Sequence, residues 1–520
     1  HVLSSGHPIP QRDPDLKEAP MTEILGYIAT AFSPGNLIFA LVGTILGIIV
    51  GALPGFTPTM GIAVLIPVTY TIDSTTALVF LGAIYCGSMF GGSISAILIN
   101  TPGTSAAAAT AMDGYAMTLK GKSHEALVES AMSSFWGGIL SVVALLFLAP
   151  PLARFAFQFG PQERFMMALF GLTIIASLTA KSVLKGLMMG CVGLVLACIG
   201  IDPVQGSIRF TFGSTFFMGG IQMIPVVIGL FSMSQGFTSL KDPLEVASKD
   251  SLVQYKSSKL KLKDIFKYPK IYWWSSVIGL IVGIIPGTGG DVASYVAHNT
   301  GHMFTKDPDY GNGSREGVAW CEAANNAVTG GTLIPTLTLG VPGNATTAVL
   351  LSALTIQGLT PGYGLFTTEK EITYPFICAL FIANVMMAAI GIWGAKYFAR
   401  VTLAPKNILN ACVLFLSVIG TYAIRGSVAD ILLMLVFGVI GYLLKLYKYN
   451  VVPIVLGLIL GPIAEAGLSQ ALLLNNNSIS AVFTSMVTRP ICIVLFLCMV
   501  ISVSYPYISQ YRAKKKSQTS

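Results

Sequence analysis

The sequence predicts an all-α polytopic membrane protein made of two inverted-topology repeats with re-entrant or broken helices and about 10–12 transmembrane segments. The first observation is composition. Of 520 residues, 53% are hydrophobic and 10% are charged, with a mean hydropathy of +0.73, whereas soluble domains carry about 25% charged residues. The second observation is an internal duplication. The segment 47–55, GIIVGALPG, recurs at 279–287 as GLIVGIIPG, with six of nine positions identical.

A second interruption follows the first in each half of the chain. Gly91-Gly92 leads to Pro102-Gly103, and Gly330-Gly331 leads to Pro342-Gly343. The first Pro-Gly breaks are 232 residues apart and the second breaks 240, so one ancestral unit is present twice. Paired Gly/Pro interruptions of apolar segments indicate the binding site of a secondary transporter.

The first half begins after a polar, proline-rich stretch, residues 1–20, which we interpret as a tag or linker scar. Residues 21–239 are predicted to be the first membrane repeat. Within it, 36–53 is long enough to cross a bilayer, whereas 61–70 is too short and is predicted to be half of a re-entrant hairpin. The segment 113–122 is interpreted as a polar loop.

The second half is predicted to repeat this plan over residues 271–475, after a lysine-rich cytoplasmic linker at 240–270. Residues 476–520 are predicted to hold an extra transmembrane helix and a basic cytoplasmic tail. Because Lys and Arg favour the cytoplasmic side, the N-terminus is predicted to be periplasmic and the C-terminus cytoplasmic. This orientation requires an odd number of crossings in the first half, which would make the repeats inverted.

The four breaks predict a site for an anion. Irregular backbone at membrane depth is tolerated only where it is buried in protein or lines a cavity. A helix that begins after a Pro-Gly presents free N–H groups and the positive end of its dipole, which suits a carboxylate. The predicted substrate-binding residues lie at the second breaks: Asn100, Thr101, Pro102, Gly103, Thr104, Ser105, Pro342, Gly343, Asn344, Thr346 and Thr347.

The first breaks, with nearby polar residues, are predicted to bind the coupling ion. A multiply charged anion in the membrane needs a cation beside it, and Na⁺ is preferred to H⁺ as the coupling ion. Asp291 can equally cap the helix that follows it, and Glu322 can bind an ion or pair with a nearby amide. The predicted ion-binding residues are Pro54, Gly55, Thr57, Gly287, Thr288, Asp291, Asn325 and Asn326.

Other function classes are less well supported. His298 and His302 have the spacing of metal ligands but lack a third partner, so neither a metal site nor a resident cofactor is predicted. No HExxH or GxSxG motif indicates an enzyme, and no basic groove with interleaved aromatic residues indicates nucleic-acid binding. A dipole-lined anion channel is the main alternative to a transporter, and a membrane-embedded transferase or hydrolase is third.

Six short stretches carry a resemblance to a known family: 51–55 (GALPG), 100–104 (NTPGT), 113–115 (DGY), 322–326 (EAANN), 340–343 (GVPG) and 358–362 (GLTPG). Together they resemble the large membrane subunit of the tripartite tricarboxylate transporter family, the TctA-like proteins. The resemblance extends over about residues 25–500. Ala116 and Cys321 stand where proline is expected, and Asn344 where serine is usual.

The resemblance implies a multi-pass permease of the bacterial inner membrane. Such a permease would import citrate-like tricarboxylates or other organic carboxylates, driven by an ion gradient. The resemblance also implies two partners: a small four-helix membrane subunit (TctB-like) and a periplasmic solute-binding protein (TctC-like) that delivers the substrate. The leading hypothesis is therefore a secondary transporter that works by alternating access.

Overall fold

The computed structural model describes residues 21–53, 56–179, 182–202, 206–241, 266–401 and 406–519. These residues are helical apart from loops and one antiparallel pair of two-residue strands, β1 (Gly200–Ile201) and β2 (Ile208–Arg209), as the sequence predicts. The first half contains α1 (Met21–Ala31), α2 (Pro34–Ala52), α3 (Pro58–Leu65), α4 (Ser74–Ile99), α5 (Ala107–Leu119), α6 (Ser123–Phe157), α7 (Pro161–Thr179), α8 (Val183–Ala197), α9 (Thr215–Met218), α10 (Met223–Ile228) and α11 (Ser234–Lys241).

The second half has a similar succession of long and short helices. It contains α12 (Pro269–Ile284), α13 (Gly289–Phe304), α14 (Arg315–Leu339), α15 (Ala345–Ile356), α16 (Tyr363–Thr367), α17 (Lys370–Val401), α18 (Lys406–Arg425), α19 (Val428–Leu446), α20 (Val452–Leu474), α21 (Ile479–Thr488) and α22 (Pro490–Thr519). A 3-10 turn (Ile66–Thr71) extends α3, and a π-helical turn (Gly229–Met233) joins α10 to α11.

Seven helical segments of the described chain are long and apolar enough to cross a membrane. The number rises to eight if α21 and the first part of α22, which are bent by 89° relative to each other, count as one span. Both numbers are below the 10–12 predicted, because several apolar helices are short. For example, the 16 residues of α12 rise about 24 Å, less than the roughly 30 Å of a bilayer core.

Two long helices, α4 and α14, form the centre of the molecule. Every residue from Thr76 to Leu98 in α4 is buried, as is every residue from Gly317 to Thr338 in α14. Helix α4 packs against α2, and α14 packs against α12 and α6. A helix that is buried on all sides needs no polar face, which explains why neither helix shows an amphipathic pattern.

Glycine permits the closest of these helix contacts. A Cβ atom on Gly87 of α4 would lie 2.5 Å from the carbonyl oxygen of Thr44 in α2. In the second half, a Cβ atom on Gly331 of α14 would lie 2.9 Å from the carbonyl oxygen of Leu280 in α12. Small residues that bring two backbones together are typical of helix packing within membranes, so these glycines allow close packing of α2 against α4 and of α12 against α14.

The interpretation of 113–122 as a polar loop was wrong. Helix α5 continues to Leu119, and Asp113 within it is completely buried. The helix persists because the Asp113 carboxylate accepts hydrogen bonds from backbone N–H groups of residues 311, 313 and 314, a distant part of the chain. A buried carboxylate is tolerated when its hydrogen bonds are made in this way, and local sequence does not reveal such a partner.

Some predicted segments lie outside the described residues. These are the stretch 1–20, the break at Pro54 and Gly55, and most of the lysine-rich linker. The described part of α22 includes the backbone of the basic tail but not its side chains. The inverted relationship of the repeats and the orientation of the termini stay predictions.

Candidate functional site

The second breaks of the two halves have the same local geometry. Helix α4 ends at Asn100 with φ 50°, and α14 ends at Gly340 with φ 68°, both left-handed conformations. Each of these residues donates its backbone N–H to a carbonyl five residues earlier, that of Ser95 or Pro335. A left-handed residue of this kind is a common way to end a helix, and Asn and Gly are the residue types that adopt it most readily.

In each half, the chain beyond the second break returns to the helices around the first break. The N–H of Gly103 donates to the carbonyl oxygen of Gly92 at 3.2 Å, and a Cβ atom on Gly103 would overlap the carbonyl oxygen of Gly51. In the second half, the N–H of Gly287 donates to the carbonyl oxygen of Gly343 at 2.6 Å. The glycines at the breaks are therefore required for backbone-to-backbone contact.

The breaks also meet across the two halves. Thr59, just beyond the first break of the first half, shares a 3.0 Å hydrogen bond with Thr346, just beyond the second break of the second half. The side chain of Ser105, at the second break of the first half, interacts with the carboxyl of Asp291, at the first break of the second half. The described residues next to all four breaks therefore converge on one region, although Thr59 and Thr346 are 287 residues apart in sequence.

Among the predicted substrate residues, Asn344 and Thr347 cap α15, and Thr104 is hydrogen-bonded to the first residue of α5. Asn344 accepts a hydrogen bond from the N–H of Thr347 at 2.9 Å, and the Thr347 hydroxyl accepts one from the N–H of Asn344 at 3.1 Å, which forms a capping box at the start of α15. Thr104 accepts from the N–H of Ala107 at 3.3 Å at the start of α5. Such caps satisfy N–H groups that a helix start leaves without partners.

Asn344 also links the two halves. Its side-chain amide donates to the Tyr85 hydroxyl at 2.8 Å, and that hydroxyl lies 3.1 Å from the hydroxyl of Thr332. Tyr85 belongs to α4, Thr332 to α14, and both are completely buried. Sequence reasoning missed Tyr85, because a single tyrosine in a long apolar helix gives no signal of a partner 259 residues away.

The remaining residues predicted at the breaks differ in exposure. Asn100, Thr101, Ser105 and Thr57 are exposed, whereas Pro342 is buried and Pro102 is half-buried. Thr57 caps α3 by accepting from the N–H of Met60 at 3.3 Å. The hydroxyl of Thr288 donates to carbonyl oxygens at the end of α12, those of Val282 and Ile285.

The two adjacent asparagines on α14 are both buried. The side-chain amide of Asn325 donates to the Met89 carbonyl at 3.3 Å, and that of Asn326 donates to the Ser134 hydroxyl at 2.8 Å. Neither side-chain oxygen has a hydrogen-bond partner among the described residues. The Asn325 oxygen lies against Gly290, beside Asp291, since a Cβ atom on Gly290 would approach it to 2.6 Å. Asn325 therefore borders the convergence of the breaks.

Two buried polar clusters lie near the N-terminal ends of α6, α12 and α14. In one, Glu129 accepts from Arg315 at 2.6 Å and from the Tyr272 hydroxyl at 2.8 Å. In the other, the Asp113 carboxylate lies 2.9 Å from Nε2 of His298. His298 is thus paired with a carboxylate, while the His302 ring packs against Tyr310. Sequence reasoning missed both clusters, since it did not single out Glu129 and it placed Asp113 in a loop.

A cavity of about 880 Å³ adjoins the end of α14. Its wall includes Gly340, the 360–363 turn, Arg209 of β2 and Glu465 of α20. Arg209 is paired with Glu465 and lies 3.3 Å from Asp202, so its charge is balanced locally. The predicted substrate residues do not line this cavity, although Gly340 precedes Pro342 by only two positions.

Comparison with known proteins identifies the family. Residues 37–456 match the family described as tripartite tricarboxylate transporter TctA. A protein of Agrobacterium vitis, named for its place in the TAR-I ttuC' 3'region, is 34% identical over 486 residues, which cover 93% of this chain and 96% of that protein. A second protein of the same organism, from the TAR-II ttuC' 3'region, is 29% identical over 238 residues, covering 46% of this chain and 97% of that protein.

No solved structure matches the chain. The family match covers both pairs of breaks and confirms the resemblance inferred from the motifs. Together with the apolar helical fold, this match shows that the chain belongs to the tripartite tricarboxylate transporter TctA family and is a multi-pass membrane component of a transport system, not an enzyme.

Proposed function

We propose that this chain is the translocating subunit of an importer for citrate-like tricarboxylates or other organic carboxylates. Import would be driven by an ion gradient and would proceed by alternating access. The observation that carries the proposal is the convergence of the four break segments, with direct contacts between the halves at Thr59–Thr346 and Ser105–Asp291. A transporter needs a site of this kind at the interface of its two halves.

The chemistry of the breaks suits an anion that arrives with a cation. No Lys or Arg occurs in segments 56–59, 100–107, 286–291 or 342–347. Positive potential there comes from the starts of α5 and α15, whose dipoles favour a carboxylate. A cation must balance the remaining negative charge of a tricarboxylate, and we propose Na⁺, with H⁺ as the alternative.

Alternating access is supported by the way the halves meet. Beside the breaks, side chains of the two halves meet at Thr59–Thr346 and Ser105–Asp291, whereas α6 of the first half and α14 of the second half pack closely against each other. The side-chain contacts at the breaks can break and re-form when the short helices there move, whereas the close-packed interface of α6 with α14 is rigid. The elements that move would be the short helices that flank the breaks, α3 with α15 and α5 with α13.

The family name implies a system of three parts. We propose that the partners are a TctB-like subunit with four membrane helices and a TctC-like periplasmic protein that delivers the carboxylate. In this arrangement the chain lies in the bacterial inner membrane, with the N-terminus periplasmic and the tail cytoplasmic. Since the binding protein captures substrate before transport, the chain by itself should transport poorly.

The test is uptake into proteoliposomes. The chain is reconstituted alone or with both partners, and labelled di- and tricarboxylates are supplied with a Na⁺ gradient or a pH gradient imposed separately. We expect accumulation against the carboxylate gradient only with the substrate-loaded binding protein, the small subunit and an ion gradient. Flux that only dissipates the carboxylate gradient would indicate a channel and contradict the proposal, as would full uptake by the chain alone.

A further inference from the structure

Glu322 is a completely buried carboxyl near the middle of the central helix α14. Its Oε1 accepts a hydrogen bond from the Thr110 hydroxyl of α5, and its Oε2 accepts one from the Ser134 hydroxyl of α6 at 3.1 Å. The hydroxyls of Ser93 and Ser130 also lie close to this carboxyl. Oxygen atoms from α4, α5, α6 and α14 therefore surround one point.

Among the described residues, no basic side chain is paired with this carboxyl. None of the ion pairs among the described residues includes Glu322. The contrast is Glu129, which is equally buried but is paired with Arg315. Removing an isolated charge from water is costly, so a carboxylate at Glu322 requires a positive charge at the same place.

Three buried polar atoms in this cluster or beside it are left without a regular hydrogen bond. The hydroxyls of Ser93 and Ser130 lie beside the Glu322 carboxyl but make no hydrogen bond of normal geometry to the described residues, nor does the side-chain oxygen of Asn326, and all three residues are at least 99% buried. Buried polar groups are normally satisfied. Atoms that remain unsatisfied around a carboxylate and two further hydroxyls form the oxygen-only environment that a hard cation prefers.

This cluster is connected to the convergence of the breaks. Ser134 contacts both the Glu322 carboxyl and the Asn326 amide. Asn325, adjacent to Asn326, lies about one helical turn from Glu322 on α14. It packs against Gly290, which precedes Asp291. Any movement of α14 or α6 that accompanies rearrangement of the breaks therefore changes the oxygen positions around Glu322.

The geometry points to a Na⁺ site formed by Glu322, Thr110, Ser134, Ser93 and Ser130, with the side-chain oxygen of Asn326 at its edge. The site is distinct from the four Pro-Gly breaks. The inference rests on the proposed function, because it assigns the cation whose gradient drives carboxylate import. Occupation of the site balances the Glu322 charge and holds α4, α5, α6 and α14 together beside the converging breaks.

The test is direct binding of radioactive Na⁺ to the purified full-length chain in detergent, at constant ionic strength with a large organic cation as the replacement. We expect saturable binding to the unaltered chain and a loss of at least tenfold in affinity for Glu322→Gln. Thr110→Val and Ser134→Ala should each weaken binding by about three- to tenfold, because each removes one oxygen and preserves the charge.

Ser141→Ala is the matched control. Ser141 lies on α6 with Ser134, two turns further along, and is also buried, but its hydroxyl interacts with Gly138 and Gly330. Ser141→Ala should leave Na⁺ affinity unchanged. Size-exclusion profiles and thermal unfolding of each variant identify any that fail to fold. If Glu322→Gln is among them, the test is the comparison of Na⁺ affinity between Ser134→Ala and Ser141→Ala.

Three results would overturn the inference. The first is a folded Glu322→Gln variant that binds Na⁺ normally, and the second is loss of Na⁺ binding in Asp291→Asn but not in Glu322→Gln. The third is absence of saturable Na⁺ binding together with uptake driven by a pH gradient, which would assign a proton to Glu322. Failure of the proposed function would be separate, since it would appear as absence of carboxylate uptake by the complete system in every gradient.

Discussion

The hydroxyl oxygens of Thr59 and Thr346 lie 3.0 Å apart, and this hydrogen bond joins the first break of one half to the second break of the other. Both residues are at least 94% buried, so neither hydroxyl can exchange its partner for bulk water in this conformation. The contact therefore stabilises the arrangement in which the breaks converge. Breaking it is a step that alternating access would require.

A double-mutant cycle on this pair measures the contact. Thr59→Val and Thr346→Val, each of which keeps the shape of the side chain, should lower the free energy of unfolding by about 1–3 kcal/mol, since each leaves one buried hydroxyl unpaired. The double variant should be destabilised by less than the sum of the two, with a coupling of about 1 kcal/mol. Thermal or chemical unfolding in detergent provides the measurement, and strictly additive effects would show that the hydroxyls do not interact.

Substitutions at Thr104 and Asn344 test whether the substrate binds at the second breaks. We expect Thr104→Ala and Asn344→Ala each to raise the carboxylate concentration for half-maximal uptake by about tenfold or more, which corresponds to about 1.4 kcal/mol. Asn344→Ser should have a smaller effect, because serine is also a good N-cap residue. The measurement is concentration-dependent uptake by the reconstituted system. If both alanine variants keep the concentration dependence of the unaltered chain, the substrate does not bind at the second breaks.

The glycines at the second breaks should not tolerate a larger side chain. A Cβ atom on Gly103 would overlap the Gly51 carbonyl oxygen, and one on Gly343 would lie 2.6 Å from Cβ of Thr332. Gly103→Val and Gly343→Val should therefore abolish uptake while the chain still inserts into the membrane. Gly26→Ala is the control, since a Cβ atom there meets nothing within 4 Å. Wild-type uptake by either valine variant would contradict the observed contact between the breaks.

Asp113 should be more important for stability than any exposed carboxylate. Its Oδ1 accepts three backbone N–H groups at 2.8–3.0 Å, and Asp113→Ala leaves all three without an acceptor, at a cost of about 3 kcal/mol or more. Asp113→Asn keeps one oxygen and should cost about half as much. Asp309→Asn is the control, because Asp309 forms an exposed pair with Lys120, which contributes less than about 1 kcal/mol. Equal unfolding midpoints for Asp113→Ala and Asp309→Asn would contradict this role.

The sequence alone was sufficient for the features that depend on local composition. The high apolar content predicts membrane helices, since a bilayer core excludes unsatisfied backbone groups. The duplicated Pro-Gly breaks identify where helices end, because Pro and Gly act on their own turn of backbone. Helices α4 and α14 do end at the predicted second breaks, and the motifs around those breaks were sufficient to identify the family.

Only the tertiary structure decided which residues meet. The pairs Thr59–Thr346, Tyr85–Asn344 and Thr110–Glu322 connect residues more than 200 positions apart, and no local pattern encodes such a distance. The tertiary structure also decided that Asp113 lies in a buried helix. These outcomes depend on which polar groups reach one another after the helices pack, because a buried polar group is stable only beside its partner.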